Sequence, residues 1–422
     1  MTTSPWQCHR IGGRFKTAVL TWIIVLMSRA TARGDDWPQF LGPTRNSIST
    51  EVGLISSWSK DGPPLVWQKE IGAGFAGAAV AGESLILFHR FGDEEVVECL
   101  EANTGKGRWK FSYATRYIDQ FGFDPGPRAT PLISNGKVYT LGAEGIFHCL
   151  DLDSGKKIWG RSLNEEFTVA KGFFGVATSP LIEDELILVN VGGTDAAGIV
   201  AFARATGQEV WRATDHQASY SSPVAATLAG TRYAIFLTRE GIVFLDPKTG
   251  TVKYNVRFRS RMNASVNAAS PVVADNTVFF SACYGPGAML LQVGDNRFDK
   301  LWKNDESMSN HYNTCVAHNG YLYGFHGRQE SGAKLRCVEL KTGLVKWTSE
   351  RTGCGSLILA DGKLIVLDED GDLILVQPNP DSYKELARAS VLSKPARGPI
   401  ALANGRVYAR DSKKLVCFNM KK

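Results

Sequence analysis

A short phrase that ends in tryptophan recurs along the chain at long, nearly regular intervals. It reads CLEANTGKGRW at 99–109, CLDLDSGKKIW at 149–159, AFARATGQEVW at 201–211 and CVELKTGLVKW at 337–347. Each copy joins two β-prone runs through a Thr-Gly or Ser-Gly turn, which is typical of a β-hairpin. Because one hairpin buries too little apolar surface to fold alone, its recurrence at a long interval indicates stacked units that share a core.

The spacing of the tryptophans indicates what each unit is. A tryptophan, or a residue in its place, occurs at Trp67, Trp109, Trp159, Trp211, Tyr254, Trp302, Trp347 and, much decayed, near Leu386. These eight landmarks are about 39 to 52 residues apart, close to the roughly 40 to 50 residues of a four-stranded propeller blade. The sequence therefore predicts an all-β fold, an eight-bladed β-propeller of four-stranded antiparallel blades over residues 65–422.

The last repeat lacks its outer strand. It stops at LVCFNM, residues 415–420, whereas an unassigned strand-like run, PLVWQKEI, occurs at 64–71. We expect residues 65–70 to pair with residues 414–418 and to close the ring, because closure removes two exposed sheet edges.

The recurring tryptophans are predicted to join neighbouring blades. An indole at the end of an outermost strand can wedge between two blades while its N–H donates to a backbone carbonyl. The residues assigned to this structural docking role are Trp67, Trp109, Trp159, Trp211, Trp302 and Trp347.

Seven of the eight cysteines lie beyond residue 32. Four of them share one repeat position, where other units carry Ala201, Phe244 and Leu291: these are Cys99, Cys149, Cys337 and Cys417. Packed sheets lie about 10 Å apart, whereas a disulfide needs Cα atoms within about 7 Å, so we expect these four to act as small core side chains. Cys315 and Cys354 begin equivalent innermost strands, where blades converge. The sequence does not decide whether these two cysteines form a disulfide.

The first 32 residues have the organisation of a secretory signal peptide. Basic residues precede an apolar run at 17–28, and Ala-Thr-Ala follows at 30–32. The run is shorter than the roughly 20 residues that a spanning helix needs. We therefore expect export, to the periplasm or beyond, and cleavage near Ala32 that leaves a soluble protein without membrane insertion. An uncleaved anchor is the alternative.

Charge argues against a nucleic-acid partner. The formal net charge is +6, and removal of residues 1–32 takes away four positive charges and no acids, which leaves +2. No continuous basic stripe remains of the kind that a nucleic-acid surface needs.

Residues 33–64 precede the first predicted blade strand. They are rich in turn-forming residues, yet they hold four large apolar side chains: Trp37, Phe40, Leu54 and Trp58. We expect this segment to lie extended against the propeller, with a disordered leader as the alternative.

The repeat also carries a family resemblance. The pattern x-L-[DE]-x-x-[TS]-G-x-x-x-W is present at 99–109, 149–159 and 337–347. It resembles the repeat of the PQQ-like β-propellers, a group that includes the quinoprotein alcohol dehydrogenases and the β-barrel-assembly lipoprotein BamB. WPQFLGP at 37–43 and the run at 126–159 are similar to exported bacterial propellers of that group. The likeness covers about residues 37–422 and is specific for the fold, since the shared residues are those that build blades.

The dehydrogenase branch of this family would imply a PQQ cofactor, a calcium ion, a catalytic aspartate and a disulfide between adjacent cysteines. No two cysteines are adjacent in this chain, and no carboxylate matches the family pattern. We therefore expect neither PQQ with calcium nor any catalytic residue, although an enzyme is not excluded. No metal site is expected either, because CxxC and paired-histidine motifs are absent, and the acidic run at 368–372 is interpreted as a solvated hairpin turn of the seventh blade.

The loops that lead from one blade to the next offer a candidate binding site. In a propeller these loops surround one mouth of the axial channel, and here six of them mix aromatic with hydrogen-bonding residues, as a ligand pocket requires. They are 117–131, 167–180, 214–223, 259–271, 305–315 and 392–399. Phe121, Phe123, Phe173 and Phe174 could form an aromatic rim for a ligand or partner, or could anchor the loops.

Arg128 and Arg397 begin equivalent innermost strands and are both expected near the channel axis. Two guanidinium groups there would suit a carboxylate, a phosphate or an anionic glycan. The alternative is that each arginine bonds neighbouring carbonyls and plugs the ring. The candidate ligand-binding residues of this axial funnel are Arg128, Tyr220, Asn267, His311, Asn313 and Arg397.

Two classes of function follow. The first is an exported, non-catalytic binding or scaffold protein of the bacterial cell envelope, monomeric and similar to BamB in contacting envelope proteins through its loops. The second is an envelope enzyme or small-ligand sensor that uses the axial funnel. We favour the first, because every recurring signal in the sequence is structural.

Overall fold

A computed structural model describes residues 35–295 and 297–422. Within these residues the chain forms eight four-stranded antiparallel sheets, one four-residue α-helix, α1 (Leu163–Glu166), and one 3-10 helix (Gln329–Ser331). The predicted eight-bladed propeller is confirmed. The signal peptide and cleavage site predicted over residues 1–32 lie outside the described residues. In the part of the chain that is described, no helix has the length and apolar character needed to cross a membrane.

The strands are numbered along the chain, and each of the first seven blades takes four consecutive strands. β1 (Leu65–Glu70) precedes them and belongs to the eighth blade. Blade 1 contains β2 (Ala79–Ala81), β3 (Ser84–Phe91), β4 (Glu94–Glu101) and β5 (Gly107–Ala114). Blade 2 contains β6 (Leu132–Ser134), β7 (Lys137–Leu141), β8 (Ile146–Asp151) and β9 (Lys157–Ser162). Blade 3 contains β10 (Leu181–Glu183), β11 (Leu186–Asn190), β12 (Ile199–Ala203) and β13 (Glu209–Ala213).

The remaining blades repeat this plan. Blade 4 contains β14 (Val224–Leu228), β15 (Thr231–Leu237), β16 (Gly241–Leu245) and β17 (Val252–Arg257). Blade 5 contains β18 (Val272–Ala274), β19 (Thr277–Ala282), β20 (Gly287–Gly294) and β21 (Arg297–Asn304). Blade 6 contains β22 (Val316–His318), β23 (Tyr321–His326), β24 (Lys334–Glu339) and β25 (Val345–Thr348). Blade 7 contains β26 (Gly355–Ala360), β27 (Lys363–Asp368), β28 (Asp372–Gln377) and β29 (Lys384–Ser390), and blade 8 contains β30 (Ala401–Ala403), β31 (Arg406–Arg410), β32 (Lys414–Asn419) and β1.

Burial changes from the first to the fourth strand of a blade. First strands of neighbouring blades contact one another, for example β2 with β6 and β30, so they converge around a central channel. Middle strands such as β16 are buried along their whole length, because both faces pack on neighbouring blades. Outer strands such as β5 alternate between exposed and half-buried residues, as expected for strands with one face toward water.

The ring closes as predicted. β1 pairs antiparallel with β32, with Leu65 opposite Phe418, Trp67 opposite Cys417 and Glu70 opposite Lys414. The eighth sheet therefore takes one strand from near the start of the described chain and three from its end, and it has no missing outer strand.

Each of the six docking tryptophans donates its indole N–H to a carbonyl of the following blade. The N–O distances are 2.7–3.2 Å, to the carbonyls of Ala102, Leu152, Arg204, Pro247, Leu340 and Asn379. Five of these rings, all except that of Trp347, also cover the glycine of the next Thr-Gly or Ser-Gly turn. Gly105 has φ +70°, and a Cβ there would lie 2.8 Å from the indole of Trp67. The glycine and the tryptophan of the repeated phrase are therefore partners across blades, not within one.

The small residues at the shared cysteine position lie directly opposite the indoles. Cys99 faces Trp109, for example, and Cys149 faces Trp159. In blade 5 the residue opposite Trp302 is Leu290 and not Leu291 as assigned from the sequence. The assignment was wrong because the outer hairpin of that blade is two residues longer than those of blades 1–4 and 6.

All seven cysteines in the described residues are free and buried. The thiol of Cys315 donates to Asn310 Oδ1 at 3.1 Å, and that of Cys354 donates to Asn313 Oδ1 at 2.8 Å. These two cysteines therefore do not form the disulfide that the sequence left open.

The segment before β1 lies along the free edges of first strands. Trp37 pairs with Val80 in blade 1, and Pro38 O accepts a hydrogen bond from Ile133 N in blade 2. Ile48 then pairs with Leu359 in blade 7. Because the first strands surround the axis, residues 37–49 lie inside the channel.

Candidate functional site

Loops that lead into the first strands enclose a cavity of about 200 Å³ at one mouth of the channel. The structure brings five of the six candidate residues into its wall: Arg128, Tyr220, His311, Asn313 and Arg397. Asn267 does not line the cavity. Its side-chain amide donates to the carbonyls of Thr238 and Phe258 at 2.8 and 3.0 Å, so it holds blade 4 together.

The N-terminal segment forms the floor of this cavity, with Phe40, Leu41 and Ser47. Arg45 fixes the segment there. Its buried guanidinium donates to Pro180 O at 2.8 Å and to Ser179 O at 3.1 Å, and burial lowers its pKa to about 9. Sequence reasoning missed Arg45, because the residue belongs to no repeat.

Arg128 is engaged by the protein on several sides. Its guanidinium lies 3.1 Å from the buried Asp119 carboxylate and donates to Asp124 O at 3.0 Å. The rings of Phe75 and Tyr117 lie 5.6 Å from its Cζ, a cation–π distance. This arrangement resembles the plugging alternative more than an open anion site.

Arg397 occupies the equivalent position but leaves donors unused. Its Nε donates to Glu369 Oε1 at 2.9 Å, and its guanidinium lies 5.0 Å from the ring of Phe123 and 5.7 Å from that of Phe75. Among the described residues, no protein acceptor is bonded to Nη1 or Nη2. Tyr312 also donates its hydroxyl to Glu369 Oε1, so that carboxylate is shared.

The other polar side chains of the wall have protein partners. His311 bonds Tyr284 through Nε2 at 2.7 Å and Gln329 Oε1 through Nδ1. Burial lowers the pKa of His311, which favours the neutral ring. The Asn313 amide donates to Gly355 O.

The hydroxyl of Tyr220 accepts the amide N–H of Phe174 at 3.0 Å. Burial raises the pKa of Tyr220, so the phenol keeps its proton at neutral pH.

A belt of hydroxyl side chains surrounds the channel at the start of the first strands. Its members are Thr130, Ser179, Ser222, Ser270, Thr314 and Ser356. Most of them bond the backbone of a neighbouring blade: Ser222 Oγ accepts Ser179 N at 2.9 Å, and Thr314 Oγ1 accepts Ser270 N at 3.0 Å. Sequence reasoning missed this hydroxyl belt, although four of its members stand in a recurring Thr-Pro or Ser-Pro step that could have revealed it.

The donor set does not fit a calcium-bound quinone. Among the described residues, no Asp or Glu lines the cavity, and no three His, Cys, Asp or Glu side chains converge as a metal site would require. The acidic run at 368–372 forms a hairpin turn, but Asp368 is buried instead of solvated. Its Oδ1 accepts Asp370 N and Asp372 N at 3.1 and 3.0 Å, which explains why an acid occupies this position.

Beside the mouth lies a partly exposed cluster that we call the aromatic rim. It consists of four packed phenylalanines, Phe121, Phe123, Phe173 and Phe174, and of Ile118, which lies in the same loop as the first two. Ile118 is 73% exposed, Phe121 53% and Phe123 40%. The ring of Phe121 lies 5.1 Å from that of Phe174. The rim is therefore a packed surface and not a set of isolated side chains.

Comparison with known proteins identifies the family. The model of the family described as outer membrane protein assembly factor BamB matches residues 92–349, more than half of the chain. BamB of Moranella endobia (strain PCIT) is 21% identical over 267 residues, which cover 58% of this chain and 63% of that protein. The match thus spans less than two thirds of the relative's length.

Two solved structures share the fold. Quinohemoprotein alcohol dehydrogenase from Comamonas testosteroni has a TM-score of 0.67 at 15% identity, with 93% of this chain and 81% of that chain covered. BamB from Moraxella catarrhalis has a TM-score of 0.59 at 15% identity, with 84% of this chain and 98% of that chain covered. At 15% identity, the similarity to these structures shows a shared fold and says nothing about a shared activity. By the family match, the chain belongs to the BamB family of PQQ-like β-propellers.

Proposed function

We propose that this protein is an exported, non-catalytic binding or scaffold protein of the cell envelope that docks a partner protein on its aromatic rim. The observation that carries the proposal is the exposure of several large apolar side chains in one packed cluster beside the mouth. Clustered aromatic side chains of this kind are typical of interaction sites, whereas scattered exposed apolar residues are not.

The rim is held in place before any partner arrives. The Asp119 carboxylate accepts the amides of Phe121, Phe123 and Asp124, each at 2.9 Å, and it is paired with Arg128. A loop that is already ordered loses less conformational entropy on binding, which favours affinity. In this proposal Arg128 acts as a support for the rim.

Localisation and assembly complete the proposal. Relatives of this chain are named outer membrane protein assembly factors, which favours an envelope protein as the partner. We place the protein in the periplasm, soluble after cleavage near Ala32, and monomeric. N-terminal sequencing of the periplasmic form and light scattering test these points directly.

Site-directed crosslinking tests the docking surface. A photoreactive phenylalanine analogue at position 121 should crosslink the partner in intact cells, and the same analogue at position 344 should not. Leu344 is a matched control, because it is 59% exposed and lies in the outer turn of blade 6. Equal yields from both positions would reject the rim as the docking surface.

The identified partner, once purified, allows a quantitative test. The double change F121A/F123A should weaken its binding at least 10-fold, or about 1.4 kcal/mol, whereas L344A should leave the affinity unchanged. Unaltered affinity in F121A/F123A would show that the partner binds elsewhere.

Catalysis is less well supported than binding. No carboxylate of the described residues lines the cavity, and both nitrogens of its histidine are occupied by Tyr284 and Gln329. An enzyme that relies on acid–base chemistry needs a group free to exchange a proton with its substrate. The concave, largely apolar cavity instead favours ligand binding as a second candidate role.

A further inference from the structure

The cavity wall presents hydrogen-bond donors that no protein acceptor uses. Ser222, Thr314 and Ser356 each accept a backbone N–H through the hydroxyl oxygen, so each hydroxyl proton is free to point into the cavity. The Nη1 and Nη2 groups of Arg397 are likewise unpartnered among the described residues. These donors belong to blades 4, 6, 7 and 8 and face one shared space.

The side-chain amide oxygens on the same wall each already have a hydrogen-bond partner. Asn313 Oδ1 accepts the thiol of Cys354, and Gln329 Oε1 bonds the ring of His311. Since no Asp or Glu of the described residues lines the cavity, no negatively charged side chain there faces a ligand cation. The wall is therefore complementary to oxygen atoms that carry negative charge.

The rest of the wall is apolar and aromatic. Phe40 closes the floor, and Phe75, Phe123 and Phe174 stand at the side. The Arg397 guanidinium lies within 5.0–5.7 Å of two of these rings. An apolar wall weakens solvent screening, so an ion pair formed there is stronger than one at the surface.

We propose that the cavity binds a small organic anion, with a carboxylate on the free Nη1 and Nη2 of Arg397 and an aromatic or aliphatic body against the phenylalanines. Guanidinium and carboxylate groups match in a bidentate geometry. A cavity of about 200 Å³ is comparable with the roughly 150 Å³ cavity that holds benzene in another protein, so it has room for a single-ring compound. The ligand site shares Phe123 and Phe174 with the rim, but titration with a small ligand and crosslinking to a partner protein measure the two roles separately.

Calorimetric titration of the full mature protein with three probes tests the ligand class. Benzoate supplies the carboxylate and ring, benzamide is its neutral isostere, and glucuronate is an anion with a polar body. We expect benzoate to bind at least 10-fold more tightly than either of the others. Benzamide binding as tightly as benzoate, or glucuronate binding more tightly, would overturn the proposal.

Variants locate the site. Arg397→Gln should reduce benzoate affinity at least 10-fold. Arg259→Gln is the matched control and should leave benzoate affinity unchanged. Arg259 also pairs with a glutamate at the mouth, Glu240, at 3.5 Å, but it does not line the cavity. Since Arg397→Gln leaves Glu369 without its cation, Ala268→Phe provides a second variant that fills the cavity without a change of charge. Benzoate binding that persists in a folded Arg397→Gln variant, or in Ala268→Phe, would refute the site.

Discussion

Trp67, near the start of the propeller, lies directly opposite Cys417, near the end of the chain. The same indole donates its N–H to Ala102 O of blade 1 at 3.0 Å. One side chain thus closes the eighth sheet and joins that sheet to the next one.

Loss of this closure is expected to destabilise the whole ring. Trp67→Ala should lower the free energy of unfolding by about 3–5 kcal/mol, because the buried indole leaves a cavity. Leu65→Ala is the control, since Leu65 is in the same strand but half exposed, and it should cost less than about 1 kcal/mol. Urea unfolding measures both. Deletion of residues 65–70 should lower the melting temperature, and an unchanged melting temperature would contradict closure by β1.

The turn glycines differ in what surrounds them. Gly82→Ala should cost about 1 kcal/mol, since its φ of +56° is unfavourable for alanine but no atom lies within 4 Å of the added Cβ. Gly105→Ala should cost clearly more, because the added Cβ also meets the Trp67 indole at 2.8 Å. Thermal melting of the two variants compares them. Equal losses would mean that the indole moves aside freely.

A pH effect is expected from Asp368. Burial raises the pKa of its carboxyl to about 6, above the unfolded value of about 3.9. The folded state therefore binds more protons between these values, and stability falls as the pH rises from about 4 to 6. Between pH 5 and pH 7 the wild-type protein should lose about 1 kcal/mol relative to Asp368→Asn, as measured by urea unfolding. Parallel pH profiles for the two proteins would exclude Asp368 as the cause.

The order of the aromatic rim is expected to depend on Asp119. Asp119→Ala should expose the amides of Phe121 and Phe123 to hydrogen exchange, and it should cost about 3–5 kcal/mol because Arg128 is left buried without its partner. Asp93→Ala removes a carboxylate that is also paired with an arginine, Arg90, but is fully in solvent, and it should cost less than about 1 kcal/mol. Unchanged amide protection in Asp119→Ala would show that the rim is ordered by other contacts.

Blade number, strand pairing and ring closure could be predicted from the sequence because they repeat. Each blade meets its neighbour in the same way, so the tryptophan, the turn glycine and the small residue opposite the indole are repeated in the sequence. The repeat is incomplete at blade 7, where Ala387 and not an aromatic residue lies opposite Leu375.

The candidate site could be predicted only in outline. The loops that form it and five of its wall residues were identified from their position before the first strands. The sequence could not distinguish Arg128 from Arg397, because Asp119 comes from a loop between blades that does not repeat, and Glu369 comes from a hairpin turn whose sequence varies from blade to blade. Asn267 has the right residue type and position, but its side chain bonds backbone carbonyls of the preceding blade and does not reach the cavity.

The sequence by itself determined the closed eight-bladed ring, because neighbouring blades contact each other through the same residue types in most repeats. Only the tertiary structure decided the shape and chemistry of the cavity. Its floor comes from Phe40 and its free guanidinium from Arg397, far apart in the chain and outside the repeating pattern. The polar groups that stay unpaired in the cavity are decided by the contacts between loops in the folded protein. These contacts differ from loop to loop, so the repeat pattern of the sequence does not predict them.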